Sequence, residues 1–302
     1  MKITVTGATG MIGRTLVAQL KQRGDEVTVL SRNPEAAEAA LGVKAVAWNP
    51  ESEQAPVAVI SHSEAVIHLA GESVAQRWTV KAKAGIRSSR VDGTANLVAA
   101  MRQADVKPRV FISGSAVGWY GPRDASPVTE GSSPGEDFLA QVCVDWETAA
   151  QEAVELGIRT VILRTGVVLS SNGGALSRML PPFKAGVGGP VAGGKQMVPW
   201  IHIDDIVGLI LASLDGDERW SGVFNATAPH PVSNTELSKT LGRVLRRPAF
   251  APVPAFAIKA MYGEMAQIVT TGQNAVPARA SELGFRWRQP ELESALRQLL
   301  SR

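Results

Sequence analysis

The chain has 302 residues, 45% of them hydrophobic and 20% charged, and its 31 Lys and Arg against 28 Asp and Glu leave a formal net charge of +3. That balance describes a soluble globular protein of about two domains and excludes disordered and collagen-like chains. Cys143 is the only cysteine, so an intrachain disulfide is excluded, and with only His62, His68, His202 and His230 scattered through the sequence no metal site is expected either.

Residues 2–6 alternate and are β-branched, which predicts a strand. A Gly-containing turn follows, and Ile12, Leu16, Val17 and Leu20 then recur at helical spacing. Further strands are predicted over 26–30, 43–48, 65–69, 109–113 and 159–163, with long helices over about 79–104 and 135–156 between the later ones. Six strands alternating with helices define an α/β fold, a doubly wound parallel sheet. Beyond Arg164 the pattern breaks into Gly- and Pro-rich loops, such as residues 180–183 and 186–190. Ser233 and Glu236 then form a capping box ahead of an amphipathic helix, and Pro290 opens a last one. The expected organisation is a Rossmann domain over 1–170, rejoined by segments near 200–228, with a smaller C-terminal substrate-binding lobe built from 171–199 and 229–302.

The densest basic cluster, Arg243, Arg246 and Arg247, sits in a helical pattern and reads as a solvated face, so no nucleic-acid partner is expected. The sequence opens as Met1-Lys2-Ile3-Thr4-Val5 with no charged-then-apolar leader, and no apolar run approaches the ~18 residues of a membrane span. A cytoplasmic protein without membrane association is expected.

Between the first strand and helix stands Thr6-Gly7-Ala8-Thr9-Gly10-Met11-Ile12-Gly13. Gly7 permits a tight turn, Gly10 lets the backbone approach a pyrophosphate, and Gly13 lets helix and strand pack closely. The helix N-terminus adds amide donors and partial positive charge. Gly7, Thr9, Gly10, Met11, Ile12 and Gly13 are therefore candidate cofactor-binding residues. At the end of the second strand, where a carboxylate would hold the ribose 2′-hydroxyl of NAD, Ser31 and Arg32 stand instead. A hydroxyl and a guanidinium suit a 2′-phosphate, so NADP is expected in preference to NAD.

With these residues, the chain resembles the extended short-chain dehydrogenases/reductases. The stretches at residues 68–72, Ser89-Arg90, the run 199–205 and the Gly-rich block 186–194 resemble the YfcH-type NAD(P)-dependent epimerase subfamily in particular. The resemblance implies that Leu69, Ala70 and Gly71 line the cofactor, that Arg90 reaches it, and that residues 166–168, with Gly166 and Val168, border the nicotinamide. It also implies a small-molecule substrate, of which a nucleotide sugar is one candidate, and raises the prospect of a homodimer.

Active members of that superfamily carry Ser, Tyr and Lys, the last two in a Tyr-x-x-x-Lys spacing. A proton donor of matched pKa must accompany hydride transfer, and the Lys lowers the Tyr pKa. Aligned on Glu147, the Tyr and Lys positions fall on Leu139 and Cys143. The serine motif survives as residues 111–121, with Ser115 matching the catalytic Ser and Tyr120 matching a substrate-contact Tyr. Tyr120, the only phenol near the expected nicotinamide, is the candidate acid/base, against the alternative of a packed loop aromatic. Cys143 is either a small buried filler or a reactive thiol. His68 reads as a satisfied core residue, and His202 with Asp204 and Asp205 as a structural motif whose carboxylates cap a helix. Two functions remain: an NADP-dependent oxidoreductase or epimerase, and a non-catalytic NADP(H)-binding sensor.

Overall fold

The computed structural model describes residues 1–301. Its strands are β1 (Lys2–Thr6), β2 (Glu26–Ser31), β3 (Lys44–Ala47), β4 (Ala65–His68), β5 (Val110–Ala116), β6 (Pro127–Val128), β7 (Arg159–Thr165), β8 (Val167–Ser170), β9 (Met197–Val198), β10 (Trp200–His202), β11 (Gly222–Ala226), β12 (Val232–Ser233) and β13 (Asn274–Ala275). The central sheet has seven strands in the order β11-β7-β5-β4-β1-β2-β3, every pair parallel. This is the doubly wound order in which ligands bind outside the carboxyl ends of the strands, at the switch point between β1 and β4.

All six predicted strands are present. The seventh, β11, lies beyond the predicted strands; it is a short run opened by Gly222 at φ +77°, and it joins the sheet by pairing Val223 with Ile162 and Phe224 with Leu163. The predicted helix over 79–104 is α4 (Val80–Gln103), preceded by α1 (Met11–Gln22), α2 (Pro34–Leu41) and α3 (Val57–Ser61), and the one over 135–156 is α5 (Phe138–Gln151) followed by a separate 3-10 turn. Capping explains the starts: Thr79 Oγ1 accepts from the Ala82 amide and Asp137 Oδ1 from the Ala140 amide.

Strand alternation builds two cores. Ile3, Val5, Ile67 and Ile112 pack with Leu16, Val17 and Leu20 of α1 on one face. Val66, Phe111 and Ile162 pack with Leu97, Val98 and Met101 of α4 on the other. A third cluster joins β8, α6 (Gly174–Lys184), Trp200, α8 (Asn234–Leu245) and the C-terminal helix Leu292–Leu300. Helix α7 (Ile203–Asp215) completes the first face. Its cap differs from expectation: the His202 imidazole, not a carboxylate, accepts from the Asp204 amide, while Asp205 accepts from the amides of Arg288 and Gln289 at 2.6 and 3.0 Å. His202 holds the N-cap position while Asp204 and Asp205 lie inside the first turn, which leaves the Asp205 carboxylate to fasten a distant loop. Among the described residues no helix is long and apolar enough to cross a membrane, and no cluster of His, Cys, Asp or Glu could hold a metal.

Candidate functional site

Two adjoining cavities lie at the carboxyl ends of the strands. The first, about 250 Å³, is lined by Gly7, Thr9 and Gly10 after β1, Ser31 and Arg32 after β2, and Leu69, Ala70 and Gly71 after β4. Its glycines are dictated by contact. A Cβ on Gly7 would lie 2.5 Å from the Leu69 backbone, and one on Gly13 would lie 2.4 Å from the Gly7 carbonyl oxygen. Gly13, Met11 and Ile12 do not line the cavity. Gly13 is buried where α1 packs on the turn, Ile12 packs against the core, and Met11 reaches Gly174. What these three bring to the cavity is their backbone position in the first turn of α1, whose N-cap, Gly10, offers no side chain to cap the amides. Trp48, Pro50 and Glu51 also line the cavity, and no sequence pattern marked them.

Ser31 Oγ accepts from the Asn33 amide at 3.1 Å and so shapes the turn at the end of β2. Arg32 beside it is exposed and makes no hydrogen bond or ion pair among the described residues. The fit to a dinucleotide rests on these features: uncapped amides at a helix N-terminus, a glycine turn with no room for side chains, and an unengaged guanidinium at the strand end where NAD-type sites keep a carboxylate.

The second cavity, about 400 Å³, is lined by Arg90, Ser115, Leu139, Cys143, Trp146, Thr165, Gly166, Val198, Leu237 and Val269, among others. Arg90 stands between the two. Its guanidinium lies 5.3 Å from the Trp146 ring centroid, and a Cβ on Gly71 would meet it at 3.1 Å. Gly166 is required because a Cβ there would lie 2.1 Å from the Pro199 carbonyl oxygen. Val168 does not border this crevice: alternation along β8 turns it into the core and presents Val167 instead.

Ser115 lines the crevice, and its hydroxyl donates to Glu147 Oε1 at 2.6 Å. Glu147 is 1% exposed and forms a two-pronged ion pair with Arg164, itself 3% exposed, at 2.8 and 2.9 Å. Arg164 lies 3.8 Å from the centroid of the Trp119 ring. Glu147 thus stands on the buried face of α5 and Arg164 near the end of β7, and each answers the other's charge away from water.

Tyr120 belongs to the same network and not to the crevice, which corrects its expected acid/base role. It is fully buried, its hydroxyl donates to Asn225 Oδ1 at 2.7 Å, and it accepts from Arg164 Nη1 at 3.1 Å. Burial pushes the phenol above its ordinary pKa, away from the value that proton exchange near neutrality needs. The Tyr and Lys positions, Leu139 and Cys143, do face the crevice. Burial, aided by the Glu147 charge, pushes the Cys143 thiol up to about 12, so it stands protonated. We expect native protein at pH 8 to resist alkylation by iodoacetamide, and urea-unfolded protein to be labelled once; rapid native labelling detected by intact mass would contradict this burial.

The fold and the paired cavities define a doubly wound protein built to hold a dinucleotide beside a second ligand. A family model described as the NAD dependent epimerase/dehydratase family matches residues 3–226, and a domain of unknown function, DUF1731, matches residues 253–299. The chain belongs to the NAD dependent epimerase/dehydratase family. It is 40% identical, over 99% of its length and 87% of the relative, to the chloroplastic epimerase family protein SDR39U1 homolog of Arabidopsis thaliana. It is 38% identical to the epimerase family protein YfhF of Bacillus subtilis, over all of this chain and 98% of that one. Human SDR39U1 (isoform 2), solved with NADPH, superposes with a TM-score of 0.89 at 33% identity, covering 99% of both chains. MoeE5 in complex with UDP-glucuronic acid and NAD shares the fold, with a TM-score of 0.80 at 22% identity over 98% of this chain and 96% of that one.

Proposed function

We propose that the chain is an NADP-dependent oxidoreductase or epimerase-like enzyme. One observation carries the cofactor choice: Arg32, unengaged, shares a cavity with the Gly7–Gly10 turn, and no carboxylate stands beside it at the end of β2. The similar human protein solved with NADPH supports the same choice. Gly7, Thr9 and Gly10, with the amides of Met11, Ile12 and Gly13, would hold the pyrophosphate, Ser31 and Arg32 the 2′-phosphate, Leu69, Ala70 and Gly71 the adenosine side, and Arg90 and Gly166 the nicotinamide side. When bound, the cofactor supplies hydride exchange with a carbonyl or alcohol carbon. Ser115 is the polar group of this chain that meets a reacting oxygen in the crevice, and its orientation is fixed by Glu147 and Arg164. The proposal carries with it a cytoplasmic protein that acts on a small molecule, with homodimerisation as the superfamily resemblance implies.

A second reading, a non-catalytic NADP(H)-binding sensor, is favoured by a specific observation: Leu139 and Cys143 face the crevice where a phenol and an ammonium would serve proton transfer. The cofactor is tested first by ligand-linked stability. At 100 times its Kd a ligand stabilises the folded state by about 2.7 kcal/mol, so NADPH will raise the melting temperature more than NADH at equal concentration, and Arg32→Ala will bring the two together. Equal shifts in the wild type would remove the 2′-phosphate assignment. Turnover is tested by reduction of NADP+ in the presence of alcohols, which Ser115→Ala will abolish if the enzyme reading is right; no turnover by the wild type leaves the sensor.

A further inference from the structure

The crevice beside Ser115 is poor in charge and has no cluster of charged donors. Among the residues lining it, Arg90 is the one cation, and it is held at the first cavity by Gly71 and Trp146, with Nη1 donating to the Ile86 carbonyl at 3.0 Å. The one carboxylate, Asp137, already accepts from the Ala140 amide and from Gln267 Nε2. Gln196 spends both amide hydrogens on the carbonyls of Val191 and Val269, and Gln273 donates to the Val117 carbonyl. Thr165 and Thr271 donate to the carbonyls of Leu163 and Gln267, Asn234 Oδ1 accepts from the Val191 amide, and Trp146 Nε1 is a single neutral donor without a partner among the described residues; much of the rest of the wall is apolar, with Val74, Leu139, Val142, Met179, Val198 and Leu237. A diphosphate buried against such walls would lose its hydration without a fork of donors to replace it, a cost far above any gain from the sugar.

The deep polar group has a fixed sense. Ser115 has one hydroxyl hydrogen and gives it to Glu147, which the Arg164 ion pair holds in place, so toward the crevice Ser115 offers lone pairs. An acceptor at the end of an apolar crevice calls for a donor on the ligand. We propose that the crevice takes an uncharged, largely apolar alcohol, whose hydroxyl donates to Ser115, in place of a nucleotide sugar. This rests on the NADP-dependent reading above and narrows its substrate class.

The test is calorimetric titration of the full chain, saturated with NADP+, with 4-phenyl-2-butanol, 4-phenyl-2-butanone and UDP-glucose. The alcohol will bind, the ketone will bind about fivefold more weakly for want of one hydrogen bond, and UDP-glucose will give no heat of binding at the same concentration. Ser115→Ala will bring alcohol and ketone to equal affinity while both still bind, because the apolar walls are untouched. UDP-glucose binding as tightly as the alcohol, a ketone preferred over the alcohol, or no binding of the alcohol would each overturn the proposal. Those failures differ from failure of the parent reading, in which NADP+ itself gives no heat on titration into the protein and both fall together.

Discussion

Replacing Glu147 by Ala will cost about 3–5 kcal/mol of folding stability, because it leaves the Arg164 guanidinium buried without its counter-charge. The same change removes the acceptor for Ser115, so two buried groups lose their partner at once. Glu147→Gln keeps an oxygen that can accept from either and will cost less. Arg164→Met alone will be as damaging as Glu147→Ala, yet the pair Glu147→Leu with Arg164→Met will cost less than the sum of the single changes, since no unpaired charge remains. Urea unfolding at pH 7 measures these four variants and Glu147→Leu alone; additive costs would show that the ion pair is not the unit that holds β7 against α5.

The second large effect is a loss of stability in mild acid traced to His68. This imidazole is fully buried, accepts or donates at Nδ1 with Thr6 Oγ1 at 2.7 Å, and has no partner at Nε2 among the described residues. Burial, with the positive charge of Arg90 adding to it, pushes its pKa down to about 4. The unfolded chain binds a proton near pH 6.5 while the folded chain does not, so the neutral folded form is fully favoured above pH 6.5. That advantage is lost as the pH falls from 6.5 toward 4, and the difference amounts to about 3 kcal/mol. Wild type will therefore lose about that much more than His68→Gln between these pH values in urea melts. Parallel acid profiles for the two proteins would remove His68 as the cause. The sequence reading of His68 as a satisfied core group was half right: one nitrogen is paired and the other is not.

The first cavity was legible because its physics is local. The turn after β1, the glycines at 7, 10 and 13, and the Ser31-Arg32 pair each act within a few residues of a strand end, where periodicity already marks the position. Family membership was legible for the same reason, from motifs; the narrower YfcH-type label rests on those motifs alone. The second cavity was not legible, since its walls come from segments between Val74 and Gln273 that no spacing connects. Tyr120 shows the hazard of scarcity: a rare phenol in a loop beside a serine motif invites a chemical role, but the loop turns it inward onto Arg164 and Asn225. Glu147 and Arg164 belong to different elements with no spacing that links them, and only the packing of α5 against β7 shows that they answer each other.

The chain order of the two cavities has a consequence for synthesis. Every residue lining the glycine-rich cavity lies between Gly7 and Ser89, whereas the crevice waits for a far wall supplied by Gln196–Pro199, Leu237 and the segment from Gln267 to Gln273. Chains emerge from the ribosome N-terminus first, so the lining of the first cavity is synthesised before the far wall of the second, but the core beneath β1 and α1 is completed only by α7. A ligand of that first cavity, binding the folded form alone, therefore stabilises by mass action a unit that reaches from β1 to α7, well beyond the residues it would touch.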